Sequence, residues 1–385
     1  MRHRLLTLLA LLVIVGTVAP GVTAAVDDPV GPTDAPPSEP VHPIQTQPSE
    51  SGTACTYPLT VTDATGTSVT IDEEPGSVVA VQPSDAQLVT ELGATSKLAG
   101  MPVGPYTSYL DAPANVSDVS ADDGSTPVAE KVIDLDADIV LAANTVTYHD
   151  GFVEQLRNAG QTVYVYDAAS SIADVRANVR LAGRLTGECA GADRTITEMN
   201  ESLDVIDAAV EDRDRPLAYY SMGPNTDVTP GEGTFQHEIL TRAGLENVAA
   251  RANVTGWGEL SNEVIVAEDP EWIVYGDSFE SPPVDRALET TTAWTDDQFV
   301  VVNDNAMSQP GPLVVTVIEQ IASTVHADAY AEVSENESAG SATGSETADS
   351  TGSDTSDDAA VIPGFGVAVS LLAVLSVALL STRRS

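Results

Sequence analysis

The chain has 385 residues, with 58 Asp and Glu against 16 Lys and Arg, a formal net charge of -42 and a pI near 4.1. A surface of that sign repels nucleic-acid phosphates and excludes direct DNA or RNA binding. Dispersed acid with almost no lysine (Lys97 and Lys131 alone) suits a high-salt solvent, because salt screens the self-repulsion.

Residues 1–25 run from basic Met1–Arg4 through apolar Leu5–Val18 to the small residues of "GVTAAV", the pattern of a secretory signal peptide, which is set aside from the fold. Residues 26–54 are rich in Pro, Asp, Ser and Thr without an apolar period and read as a disordered arm. The folded part that follows, roughly 270 residues, exceeds one comfortable core, so two lobes are expected.

The first lobe is placed at residues 55–170. "LTVTDATGTSVTID" alternates and turns like a hairpin. "SVVAV" reads as a buried strand, and "SDAQLVTELGA" as a helix that starts at Ser84 and stops at Gly93. Strand-like "KLAGM", helical "PVAEKVIDLDA", strand-like "DIVLAA", helical "DGFVEQLRNAG" and strand-like "TVYVY" continue the series. Such alternation predicts a mostly parallel sheet with helices on both faces.

Residues 171–214 contain no Pro, and apolar residues from Ile172 to Val210 recur at threes and fours, so one long linking helix is expected. Gly183, Gly187 and Gly191 weaken it and leave room for a kink or break. A second series spans residues 215–328: strands in "PLAYYSM", "EWIVYG" and "FVVVND", helices in "GTFQHEILTRAG", "SNEVIVAE" and "PGPLVVTVIEQIAST". The predicted architecture is therefore α/β, with two Rossmann-like lobes built on central, mostly parallel sheets and joined by one long helix.

Residues 329–360 form a Ser/Thr/Asp-rich tract that reads as a stalk. Residues 361–385 hold an uncharged run, Val361–Leu380, backed by Arg383 and Arg384. About 20 apolar residues match the thickness of a bilayer, and the arginines suit a cytoplasmic end. Cys55 and Cys189 in an exported chain suggest a disulfide, two separate thiols being the alternative. Sequons stand at Asn115, Asn200, Asn253 and Asn336.

Two resemblances follow from these residues. "PGFG", with Pro363, Gly364 and Phe365, resembles the PGF-type C-terminal sorting signal of haloarchaeal surface proteins, which implies an anchored extracellular protein whose tail is exchanged for lipid. The folded part resembles the helical-backbone, class III solute-binding proteins of ABC importers for cobalamin and iron chelates. The landmarks are "VVAVQPSDAQLVTELGA", "VAEKVIDLDADIVLA", "TFQHEILTRAGLENVA", "WGELSNEVIVAEDPEWIVY" and "SQPGPLVV", in that order. This resemblance implies a monomeric receptor that holds its ligand between the lobes and delivers it to a permease dimer with ATPase subunits. It implies that Glu130 and Glu263, one per lobe, dock on the permease, and that Trp257 touches the ligand. Cobalamin is the expected cargo, with no cofactor and no catalysis; an iron siderophore or haem is the alternative. One stretch departs from the pattern: "SADDGST" carries acids where some cobalamin binders have a tryptophan.

Ligands of open α/β sheets sit at the C-terminal ends of the strands. That selects Pro83, Ser84, Tyr106, Tyr109 and Tyr148 in the first lobe, and Tyr220, Met222, Asn225, Trp257 and Gln309 in the second. Aromatic faces suit a large flat ligand. Direct metal capture is less favoured, since of five histidines only His149 and His237 reach a cleft. A siderophore would want cations, for which Arg242 and Arg251 are the candidates. No Ser/His/Asp set and no phosphate loop points to an enzyme.

Overall fold

The computed structural model describes residues 55–223 and 228–343. The expected signal peptide, the whole arm, Asn225, the end of the stalk and the C-terminal anchor segment lie outside the described residues.

The first lobe contains β1 (Leu59–Thr62), β2 (Ser68–Ile71), β3 (Val78–Ala80), α1 (Pro83–Glu91), β4 (Leu98–Met101), β5 (Ser117–Asp118), α2 (Ala129–Ile133), β6 (Ile139–Ala142), α3 (Phe152–Asn158) and β7 (Val163–Val165). β1 and β2 pair as the antiparallel hairpin anticipated from alternation. The other five strands form one parallel sheet in the order β5-β4-β3-β6-β7. Its central strands are buried on both faces, as crossover helices require. Successive residues alternate between faces: Val78, Ala80, Ile139 and Leu141 pack toward α1, while Val79, Val81, Val140 and Ala142 join the layer beneath α2 and α3.

Two helices follow, α4 (Ile172–Thr186) and α5 (Cys189–Val210), where one continuous helix is expected from periodicity. The glycines explain the break. Gly187 has φ +83 and ends α4 in the left-handed conformation, and Glu188 N–H reaches back to the Gly183 carbonyl at 2.8 Å. Gly183 admits Ala192, whose Cβ would lie 2.6 Å from an added Cβ. Gly191 packs so tightly that a Cβ there would fall 2.0 Å from the Leu92 carbonyl oxygen. Thus α4 and α5 form a hairpin. The Cys55–Cys189 disulfide fastens the head of the folded chain to its turn.

The second lobe contains β8 (Leu217–Ser221), β9 (Val228–Pro230), α6 (Phe235–Arg242), β10 (Glu246–Asn247), α7 (Val248–Arg251), β11 (Trp257–Glu259), α8 (Asn262–Glu268), β12 (Trp272–Gly276), α9 (Thr292–Thr295), β13 (Phe299–Val302), α10 (Asp304–Ser308), α11 (Val314–Val325) and α12 (Ala327–Thr343). A parallel sheet runs β10-β8-β12-β13, and β9 and β11 pair antiparallel beside it. α12 occupies the start of the expected stalk, and Tyr330 is anchored by a 2.6 Å bond from its hydroxyl to Glu319. No helix among the described residues is long and apolar enough to cross a membrane.

Two variants test this frame. Replacing both cysteines by Ser reopens a chain segment of 134 residues. Closure entropy then predicts a loss of up to about 4–5 kcal/mol, read as a lower denaturant midpoint with an unchanged far-ultraviolet spectrum. Gly191→Ala, which drives a methyl group into the Leu92 carbonyl, should lose about 1–3 kcal/mol in the same assay.

Candidate functional site

In a doubly wound sheet the crevice for a ligand opens where strand order reverses. In the first lobe β4 lies on one side of β3 and β6 on the other, so the reversal falls between β3 and β6. In the second lobe it falls between β8 and β12 by the same reasoning. A cavity of about 990 Å³ opens over these strand ends. The first lobe lines it with Gln82–Asp85 after β3, Ala143–Thr145 after β6 and Tyr166–Ser170 after β7. The second lines it with Gly233–Gln236 at the start of α6, Trp257, Asp277 and Ser278 after β12, and Asp304, Asn305, Ser308 and Gln309.

Four aspartates, Asp85, Asp167, Asp277 and Asp304, line the cavity, and no Lys, Arg or His does so among the described residues. Asp277 accepts the Asp304 N–H at 3.1 Å and the Asn303 side chain at 3.2 Å, while Asp304 accepts the Ser278 N–H at 3.2 Å. These bonds fix the two carboxyl groups in place. Asp85 differs from the rest because it is 1% exposed. Its Oδ2 accepts the N–H groups of Gln82, at 3.1 Å, and Ala143, at 2.9 Å, tying the β3–α1 loop to the end of β6 across the reversal point. Burial pushes its carboxyl up to about 7, although those two N–H bonds pull the other way.

A polar bridge crosses between the lobes at the cavity edge. Gln87, fully buried on α1, donates to the Tyr109 hydroxyl at 2.7 Å, and that hydroxyl donates to Gln309 Oε1 at 2.7 Å. Gln309 in turn donates to the Tyr106 carbonyl at 3.0 Å, and Leu313 N–H donates to Gln87 Oε1 at 3.2 Å. Burial raises the Tyr109 phenol to about 12, so it remains a donor at any physiological pH.

Of the residues expected at the site, Pro83, Ser84, Tyr106, Trp257 and Gln309 are brought together around the cavity. Tyr109 stands behind them in the bridge. Tyr148 does not line the cavity: it ends a 3-10 turn at 79% exposure, while Asn144 and Thr145 of that turn face inward. Tyr220 points from β8 into the apolar core, where burial raises its phenol. Met222 is exposed but outside the lining. Glu130 on α2 and Glu263 on α8 are both exposed, one on each lobe. The Glu263 carboxyl is held below its usual range by its own backbone N–H and the Ser261 hydroxyl. Arg242 pairs with Asp207, and Arg251 with Glu246 and Glu268, so neither is a cavity cation. His237 contacts Asn247 at 3.3 Å, and neither it nor His149 lines the cavity. Sequence reasoning missed Asp85, Tyr166, Phe235, Gln236, Asp277 and Asp304. Asp277, which directly follows β12, was open to the same strand-end rule that selected Pro83.

The model of the family described as periplasmic binding protein matches residues 78–305. The chain belongs to that family. A PGF-CTERM motif matches residues 362–384, which marks an exported protein anchored at the surface. The chain is 37% identical to a cobalamin-binding protein of Halobacterium salinarum over 350 residues, 88% of this chain and 92% of that one. It is 27% identical to an uncharacterized ABC transporter substrate-binding lipoprotein of Bacillus subtilis, over 72% of this chain and 88% of that one. Among solved structures, Helicobacter pylori CeuE in its Ni-His complex superposes with a TM-score of 0.59 at 19% identity, covering 72% of this chain and 92% of its own. That likeness establishes the helical-backbone, two-lobed α/β fold of class III binding proteins.

The Asp85 carboxyl yields a stability prediction. Its raised value means that the native state binds the extra proton between about pH 4 and 7, so this group removes stability as pH rises through that window. Asp85→Asn keeps an oxygen for the two N–H groups and cannot ionise. The variant should therefore be more stable than the parent by about 2–4 kcal/mol at pH 8, and equal to it near pH 4, by denaturant titration at both values.

Proposed function

We propose that this protein is the extracellular substrate-binding component of an ABC importer and that it captures cobalamin. The reading rests on one observation above others: a cavity of about 990 Å³ between two α/β lobes, with Tyr106 from one lobe and Trp257 from the other at its mouth and, among the described residues, no cationic side chain in its lining. Trp257 is 51% exposed on β11, whose pairing with β9 holds it in place. Such a surface suits a large, flat, amide-decorated ring, gripped by aromatic faces and polar groups. A haem or an anionic ferric siderophore would place carboxylates or other anions against aspartates, with no cation to pair them. The 37% identical relative from Halobacterium salinarum, named a cobalamin-binding protein, supports the same choice.

On this reading the chain is exported by a signal peptide over residues 1–25 and held at the outer membrane face by its C-terminal segment. It binds and releases its ligand without turnover, as a monomer, and needs no cofactor. Glu130 and Glu263 dock on a permease dimer that works with ATPase subunits. A charge on each lobe lets the permease grip both at once.

The test is a titration of the purified protein in high salt with cyanocobalamin, haemin and a ferric siderophore, followed by tryptophan fluorescence corrected for absorption by the ligand. One-to-one saturation by cyanocobalamin alone is expected; saturation by haemin or the siderophore instead would overturn the choice of ligand. Trp257→Ala should weaken binding about tenfold or more. The Glu130→Ala, Glu263→Ala double variant should bind as the parent does and abolish uptake in cells; loss of binding would place those residues at the ligand.

A further inference from the structure

The first-lobe wall of the cavity holds two polar groups that the fold does not require. Asp85 uses only Oδ2 to receive the Gln82 and Ala143 N–H groups, and among the described residues no hydrogen bond reaches Oδ1. An asparagine would serve the backbone equally well and avoid a buried ionisable carboxyl. Tyr166, which follows β7, lines the same cavity at 2% exposure, and its hydroxyl has no hydrogen-bond partner among the described residues. A phenylalanine would fill that space without leaving a buried hydroxyl unmet, which is destabilising. The ring is fixed by an edge contact with Tyr164 at 5.1 Å between centroids. Both sit at the end of β6: the Tyr166 N–H donates to the Ala142 carbonyl at 2.8 Å, and the next residue, Ala143, donates its N–H to Asp85 at 2.9 Å.

At pH 8, above the raised value of Asp85, an acceptor that is only an acceptor and a donor without a partner, on one wall of the cavity, complement a primary carboxamide. Its N–H₂ donates to the carboxylate and its C=O accepts from the phenol. The rim of a corrin ring carries several such carboxamides. We propose that Asp85 and Tyr166 form a recognition site for one peripheral carboxamide of the corrinoid, an inference that rests on the cobalamin reading above. The site distinguishes an amide from the carboxylate of its hydrolysed form, because the latter brings a second negative charge against Asp85 and has no proton to offer.

The experiment titrates the parent, Tyr166→Phe and Asp85→Asn at pH 8 with cyanocobalamin and with its monocarboxylate isomers, each made by hydrolysing a single peripheral amide. The parent should bind cyanocobalamin and reject one isomer by at least tenfold relative to the others. Asp85→Asn should relieve that rejection. Tyr166→Phe should weaken cyanocobalamin about tenfold while its thermal midpoint stays level or rises, which a merely structural tyrosine would not do. If the parent binds cyanocobalamin but all isomers bind alike and Tyr166→Phe is silent, the carboxamide site is wrong and the cobalamin reading survives. If the parent binds no corrinoid, both fall together.

Discussion

Everything at the site depends on a single apolar core that passes through both lobes. Residues of the first sheet, among them Ile139 and Leu141, lie in the same buried cluster as Val175 and Val179 of α4, Met199, Leu203 and Ile206 of α5, and Val274, Ile318 and Ile321 of the second lobe. Interiors of this kind are close-packed and do not shear smoothly. The lobes are therefore braced on the α4–α5 hairpin, and the cavity is the space left where the strand ends diverge above it. The Gln87–Tyr109–Gln309 bridge adds a directional tie over the same seam. A receptor built this way presents a gap of nearly fixed width, suited to a ligand that is itself large and rigid.

The chemistry of the cavity follows from what such a frame tolerates. Parallel strands end in loops whose backbone N–H groups need acceptors, and acidic side chains supply them: Asp85 at the first reversal point, Asp277 and Asp304 in the second lobe. In a chain this acidic that solution recurs, and among the described residues it leaves a lining without cations. The same frame leaves Tyr106 and Trp257 exposed at the mouth, with large aromatic surfaces uncovered. An exposed aromatic pair on facing lobes is a surface kept for something else to cover.

Much of the fold was legible because parallel α/β units carry strong local signals. Buried runs such as "SVVAV" and "DIVLAA" became β3 and β6, and a helix stopping at Gly93 became α1. The linking segment was half legible. Periodicity gave the helical content, but the turn depends on a left-handed backbone at Gly187 packed against Glu74 and on Gly191 packed against Leu92, which no local pattern reports. The site followed the same division. Strand-end reasoning found Pro83 and Ser84, yet passed over Asp85 one position later, since nothing in "QPSDAQ" says which residue turns inward. Tyr148 and Tyr220 share a residue type with Tyr106 and Tyr166, and only the third dimension separates the exposed, the core and the lining ones.

The shared core makes one demand that can be measured directly: ligand binding must leave the spacing of the lobes almost unchanged. Small-angle X-ray scattering of the protein in high salt, with and without saturating cyanocobalamin, each subtracted against a buffer blank holding the same free ligand, reads that spacing. The account predicts superimposable pair-distance distributions. A ligand-dependent contraction of the kind produced by a wide hinge closure would contradict it, because the core that joins the lobes would have to come apart for the hinge to move.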